Sequence, residues 1–152
     1  LSEWFLVERM RPQDAQQRIP LKARIGTSQP KLIEAVTLME TNLEEPLSPD
    51  DLAYHVGLSR RHLERLFKKH LDSVPSRFYL QLRLDKARQM LRDTDRSIVE
   101  VGMACGFSSA SHFSTTYRTH FNLTPRQERG RATHVESAPS WTHSVAIQRR
   151  LD

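Results

Sequence analysis

A chain of 152 residues with 38% hydrophobic and 27% charged residues is enough for one small α-rich domain, or for two very small ones sharing a wall. One cysteine, Cys105, excludes an internal disulfide framework and fits a reducing cytosol; no apolar run approaches bilayer-spanning length, and the first residues do not read as a signal peptide. The net charge of +5 is unevenly spread, with ten Lys/Arg against three Asp/Glu over residues 59–92, a candidate electropositive face whose bland alternative is a solvated helix surface.

Residues 1–10 carry Leu1, Trp4, Phe5 and Val7 on one side, the pattern of a short amphipathic helix. Opening without a methionine, they read as the end of a domain that is absent. Residues 11–29, with Pro12, Pro20 and Gly26, hold no sustained period and read as linker. Helical periodicity returns over 30–43 through Leu32, Ile33, Val36, Met39 and Leu43, with Pro30 in the first turn and Pro46 closing the segment.

The next unit begins with SPDD. Ser48 is a cap, Pro49 fits the first turn, and Asp50 and Asp51 favour the positive end of the helix dipole. Leu52, Ala53 and Val56 form a buried stripe, Gly57 supplies a turn, Leu58 a plug and Ser59 a second cap. In the following helix Leu63, Leu66 and Phe67 point inward, while Arg61, Glu64, Arg65 and Lys68 stand at i, i+3, i+4 and i+7 on one exposed stripe. A short helix, a glycine turn and a basic helix read as a helix-turn-helix.

Over 75–92 the spacing predicts a rod of roughly 27 Å. Pro75 lies in its first turn, Ser73 stands upstream as an acceptor for unpaired amides, Phe78, Leu82, Ala87 and Leu91 face inward, and Arg77, Arg83, Lys86, Arg88 and Arg92 ride outside. The earlier pattern then returns. SIVE at 97–100 is a capping box; Val101, Ala104 and Cys105 take inward positions, Gly106 the turn, Phe107 the plug and Ser108 the cap, followed by Phe113, Tyr117 and Phe121. Ser48, Gly57 and Leu58 fall on Ser97, Gly106 and Phe107 at an offset of 49, and Leu63, Phe67 and Leu71 on Phe113, Tyr117 and Phe121 at 50. One inserted residue after the second turn makes this an internal repeat. The second exposed stripe is Ser111, Ser114, Thr115 and Arg118, less basic than the first. Thr124–Gln127 is a further capping box, opening a short helix that Gly130 ends, and the remaining residues to 152 read as a loosely ordered polar tail.

These residues resemble the C-terminal DNA-binding domain of AraC/XylS-type transcriptional regulators. The resemblance covers roughly residues 30–129; it is most specific in GFSSASHFSTTYRTHFNLTP (106–125) and extends to GLSRRHLERLFKKH (57–70). WFLVERMRP and QRIPLKARIGTSQPKL further resemble the junction in GlxA-like members, which carry an amidotransferase-like N-terminal domain of the PfpI type, here missing apart from its tail. The resemblance implies an all-α domain of about seven helices, with one helix-turn-helix over about 48–70, a linker helix over about 75–92 and a second helix-turn-helix over about 97–121.

Carried over by position, Arg61, Glu64 and Arg65 would meet base edges from the first recognition helix, and Ala110, Ser111, His112, Ser114 and Thr115 from the second. Many members place an arginine where Thr115 stands, so the first unit is expected to carry most sequence choice. Ser48, Arg60, Lys68, Lys69, Ser97 and Arg118 are candidates for phosphate contacts. Major grooves on one face recur every ~34 Å, and DNA bending closes the mismatch with the shorter rod.

The expected partner is double-stranded DNA carrying a two-box operator of roughly 20 base pairs, with RNA polymerase as a second partner. No membrane contact and no cofactor are expected. The isolated domain is expected to be a monomer, with dimerisation left to the other domain of the whole protein. That whole is expected to be cytoplasmic and nucleoid-associated, acting as an activator of amino-acid or quaternary-amine catabolism. The alternative is a basic helical protein-interaction module, which gives no reason for two preserved glycine turns. An enzyme is disfavoured: Cys105 falls on a core position of the repeat, and the histidines lack metal-ligand spacing.

Overall fold

The computed structural model describes residues 29–137; the expectations for residues 1–28 and 138–152 lie outside them. The described residues form seven helices and no strand: α1 Pro30–Thr41, α2 Pro49–His55, α3 Arg60–Leu71, α4 Pro75–Asp93, α5 Ile98–Ala104, α6 Ala110–Phe121 and α7 Pro125–Ser137. The all-α reading therefore holds. The chain divides into two compact units.

The first unit takes α1 as far as Leu38, then Ser48 to Arg77. Ser48 caps α2 by accepting from the Asp51 amide, Val56 closes it, and Gly57 turns the chain at φ 72°. The Leu58 amide donates to the Ala53 carbonyl across the turn at 2.9 Å. Ser59 caps α3 by accepting from the His62 amide, and Asp72 ends α3 in the left-handed region. A left-handed residue suits a helix end because its amide can still reach back to an unpaired carbonyl. Leu32, Ala35, Val36, Leu52, Ala53, Val56, Leu63 and Phe67 are buried here, and α2 packs against α3.

The second unit, Met39–Leu47 with Phe78 onward, repeats this design. Ser97 accepts from the Glu100 amide, Cys105 closes α5, Gly106 turns at φ 84°, and the Phe107 amide donates to the Gly102 carbonyl at 2.9 Å. Asn122 ends α6 in the left-handed region, as Asp72 ends α3. The core joins Leu84, Ala87 and Leu91 of α4 to Val101, Cys105, Phe107, Phe113 and Tyr117. Tyr79 fastens the segment before α2, accepting from the Leu47 amide at 3.1 Å and donating to the Asn42 carbonyl.

Several local expectations differ from the structure. The cap of α6 is Ser109, accepting from the His112 amide; Ser108 is the inserted residue. Ser73 donates to the Val74 carbonyl and does not accept at the head of α4. The buried stripe of α4 contains Tyr79 and Leu84, whereas Phe78 and Leu82 are half-buried. Leu43 lies beyond the end of α1, and Ala104 is half-buried. Gly130 does not end α7, which continues to Ser137. A helical glycine costs only about 1 kcal/mol, and the helix is well anchored just ahead of it: Thr124 and Gln127 close their capping box, and Arg129 donates to the Leu91 and Thr94 carbonyls.

Candidate nucleic-acid interface

The inward residues of α3, Leu63 and Phe67, fix its rotation and leave Arg61, Glu64, Arg65, Lys68 and Lys69 exposed. Among the described residues Arg61, Arg65 and Lys69 have no protein partner, so two guanidinium groups one turn apart stand open to a ligand. Their neighbours are engaged. Arg60 Nε donates to Glu64 Oε1 at 3.1 Å, and its Nη1 lies 3.4 Å from Asp50 Oδ2. Lys68 Nζ pairs with Asp72 Oδ1 at 2.7 Å, which holds the Asp72 carboxyl below the usual carboxylate range. Arg60 and Lys68, read as phosphate ligands, thus each rest on a carboxylate in the free protein. Such exposed pairs are screened by solvent and contribute little to stability.

On α6, burial of Phe113 and Tyr117 exposes Ala110, Ser111, His112, Thr115 and Arg118, with Ser114 half-buried. The His112 ring leans edge-on against Phe107 at 5.6 Å, packing over the turn plug. Arg118 is the cation of this face; the rest offers single hydroxyl and imidazole groups, which cannot make a bidentate fork. Ser48 and Ser97 head α2 and α5, each hydroxyl oxygen accepting a backbone amide at 3.1 Å.

The arginines of α4 are not all the surface charges their sequence pattern implies. Arg83 is half-buried: Nε and Nη2 donate to the Cys105 and Gly106 carbonyls, each at 2.7 Å, and the guanidinium lies 4.4 Å from the centre of the Phe107 ring. It therefore holds the second turn. Arg88 Nε donates to Glu128 Oε1 at 2.5 Å, and Arg92 lies 3.4 Å from Glu128 Oε2. Glu128 is 1% exposed and also accepts from the Tyr117 hydroxyl at 2.8 Å. Burial pushes the Glu128 carboxyl up, but the hydrogen bonds from Tyr117 and Arg88 outweigh it and leave the group below its ordinary value. Burial, then Glu128, raises the Tyr117 phenol. No sequence signal marked this group, because its members stand up to 40 residues apart.

Among the described residues no cluster of His, Cys, Asp and Glu could hold a metal ion, and no helix is long and apolar enough to cross a membrane. Cys105 is buried with its thiol pushed up to about 11, first by burial.

Two matching cap–turn–cap units, each presenting one exposed helix face, define a double helix-turn-helix domain. Residues 52–131 match the helix-turn-helix domain family, and the chain belongs to its AraC-type branch, a family of transcription-regulator DNA-binding domains and not of enzymes. It is similar to the HTH-type transcriptional regulator ArgR of Pseudomonas aeruginosa, 57% identical over 129 residues, covering 85% of this chain and 39% of the relative. It is also similar to the HTH-type transcriptional regulator GlxA of Rhizobium meliloti, 37% identical over 132 residues, covering 87% and 41%. The chain thus spans about two fifths of the length of these curated relatives. Among solved structures, an AraC-type transcriptional regulator from Chromobacterium violaceum superposes with a TM-score of 0.67 at 67% identity, covering 69% of this chain and 94% of that one. The DNA-binding domain of AdpA, solved in complex with a target DNA, superposes with a TM-score of 0.63 at 28% identity, covering 66% and 90%.

Proposed function

We propose that this chain binds duplex DNA sequence-specifically as part of a transcription regulator, placing α3 and α6 in successive major-groove segments. The observation that carries the reading is the duplicated geometry: the same cap, turn and closing hydrogen bond occur in both units, and each leaves one helix face open to solvent. Arg61, Glu64 and Arg65 read bases from α3. Ala110, Ser111, His112, Ser114 and Thr115 form the contact face of α6, where apolar and single hydrogen-bond contacts position the unit more than they select sequence. Ser48, Arg60, Lys68, Lys69, Ser97 and Arg118 meet phosphates. The full regulator acts in the cytoplasm on the nucleoid, at a two-box operator of about 20 base pairs, and activates transcription through RNA polymerase. Its targets lie in amino-acid or quaternary-amine catabolism, the setting implied by the GlxA-like resemblance. The DNA-binding domain by itself, residues 30–129, is monomeric.

The test is selection from a randomised duplex pool, with a salt titration, on wild type and on the double variant Arg61→Ala/Arg65→Ala. The expected result is enrichment of two boxes about one helical turn apart, with the preference in one box lost in the variant. Enrichment of no sequence by the wild type overturns the reading and leaves a basic helical module.

A further inference from the structure

The two recognition helices differ by more than the number of their cations. In the first unit Asp50, Arg60 and Glu64 form a chain of contacts, with Arg60 Nε on Glu64 Oε1 at 3.1 Å and Arg60 Nη1 toward Asp50 Oδ2 at 3.4 Å. The repeat places Val99, Ala110 and Ser114 at the corresponding positions of the second unit. Every charged member is replaced by an uncharged one, although the caps and turns around them are kept.

An acid on a DNA-facing helix is repelled by phosphates, and bare Glu64 would weaken binding to every sequence. Arg60 offsets that repulsion and does so directionally. Its Nε engages one carboxylate oxygen, Oε1, and leaves Oε2 without a protein partner among the described residues. A carboxylate oxygen is acceptor-only and matches the exocyclic amine of cytosine in the major groove. The Asp50 contact is the longer of the two and its carboxylate is 72% exposed, so the far end of Arg60 can leave it for a phosphate while Nε stays on Glu64.

We infer that Glu64 is a specificity determinant that reads a cytosine N4 amine within the box bound by the first unit, and that Arg60 is its positioning residue, bridging Glu64 to the DNA backbone. The inference rests on the proposed DNA binding. The second unit, lacking all three charges, has no equivalent acid-read position.

The experiment applies the same duplex selection and salt titration to the wild type, Glu64→Gln, Arg60→Ala and the double variant, with thermal unfolding showing that each exposed substitution leaves the fold intact. In the wild type one position of the first box prefers cytosine by about tenfold. Glutamine, which donates as well as accepts, moves that position toward adenine. Arg60→Ala lowers the salt slope by about one and also weakens the cytosine preference, and the two changes do not add at that position.

Three outcomes overturn the inference. Glu64→Gln could change affinity equally for all sequences, which would make Glu64 no reader. Arg60→Ala could lower the slope with the cytosine preference intact, which would make Arg60 a phosphate contact only. The two substitutions could act at different positions. Failure of the wild type to select any sequence would instead sink the proposed function itself, so the two failures are distinguishable.

Discussion

Tyr117 and Glu128 are joined by a buried hydrogen bond of 2.8 Å from the phenol to carboxylate Oε1, fixing the second recognition helix to α7. Arg88 and Arg92 bring α4 onto the same carboxylate. One side chain thus ties three helices of the second unit together, and nothing corresponds to it among the described residues of the first unit, whose buried side chains are all apolar.

Removing Glu128 leaves two half-exposed guanidinium groups and a buried phenol without their shared acceptor. Glu128→Ala should destabilise by about 2–4 kcal/mol, below the upper figures for a broken buried pair because the arginines stay partly hydrated. Urea denaturation checks this. The pH dependence has a definite sign. The folded carboxyl titrates below its unfolded value, so its contribution is fully present above about pH 4.3 and is lost as pH falls through the folded value. Glu128→Gln should flatten that acidic limb relative to wild type; an unchanged limb would show that other carboxyls dominate it.

The two turn glycines should respond unequally to alanine. Both have positive φ, 72° at Gly57 and 84° at Gly106, a conformation costing about 1–2 kcal/mol for an L side chain. At Gly57 the nearest atom to an added Cβ is Lys31 Nζ at 3.9 Å, whereas at Gly106 the Leu43 carbonyl oxygen would lie at 2.5 Å and Pro46 Cγ at 2.7 Å. Gly57→Ala should show the backbone cost alone. Gly106→Ala should cost about 1–3 kcal/mol more, read as a larger fall in thermal midpoint.

Arg83 should matter through its planar fork and not its charge. Its two 2.7 Å hydrogen bonds satisfy the carbonyls of Cys105 and Gly106 at the turn, and lysine cannot reproduce that geometry. Arg83→Ala and Arg83→Lys should each destabilise by about 2 kcal/mol. Full recovery of stability in the lysine variant would show that charge alone sufficed.

The thiol of Cys105 should be inert in the folded protein. It is buried, lies 3.9 Å from Met90 Sδ, and is pushed up to about 11, so thiolate is scarce at pH 8. A disulfide reagent should label it only as denaturant unfolds the domain. Rapid labelling under native conditions would contradict its core placement.

Much of the fold was legible locally. Ser48, Ser59 and Ser97 cap because each hydroxyl reaches an amide three residues on, and Gly57 and Gly106 turn because they tolerate positive φ; both effects act within a few residues. The open faces of α3 and α6 followed from the same periodicity that buries Leu63, Phe67, Phe113 and Tyr117. Even the misplaced cap lay one residue away, at Ser109, because two adjacent serines carry the same local signal.

What the sequence determined by itself was therefore the duplicated helix-turn-helix and the identity of its exposed stripes, since caps, turns and helical period are short-range properties. Only the tertiary structure decided which arginines of α4 remain surface charges and which hold the fold, that Glu128 is buried, and that α7 passes through Gly130. Those outcomes depend on partners 22 to 40 residues away, and desolvating a charge beside a distant counter-charge leaves no mark in a local pattern.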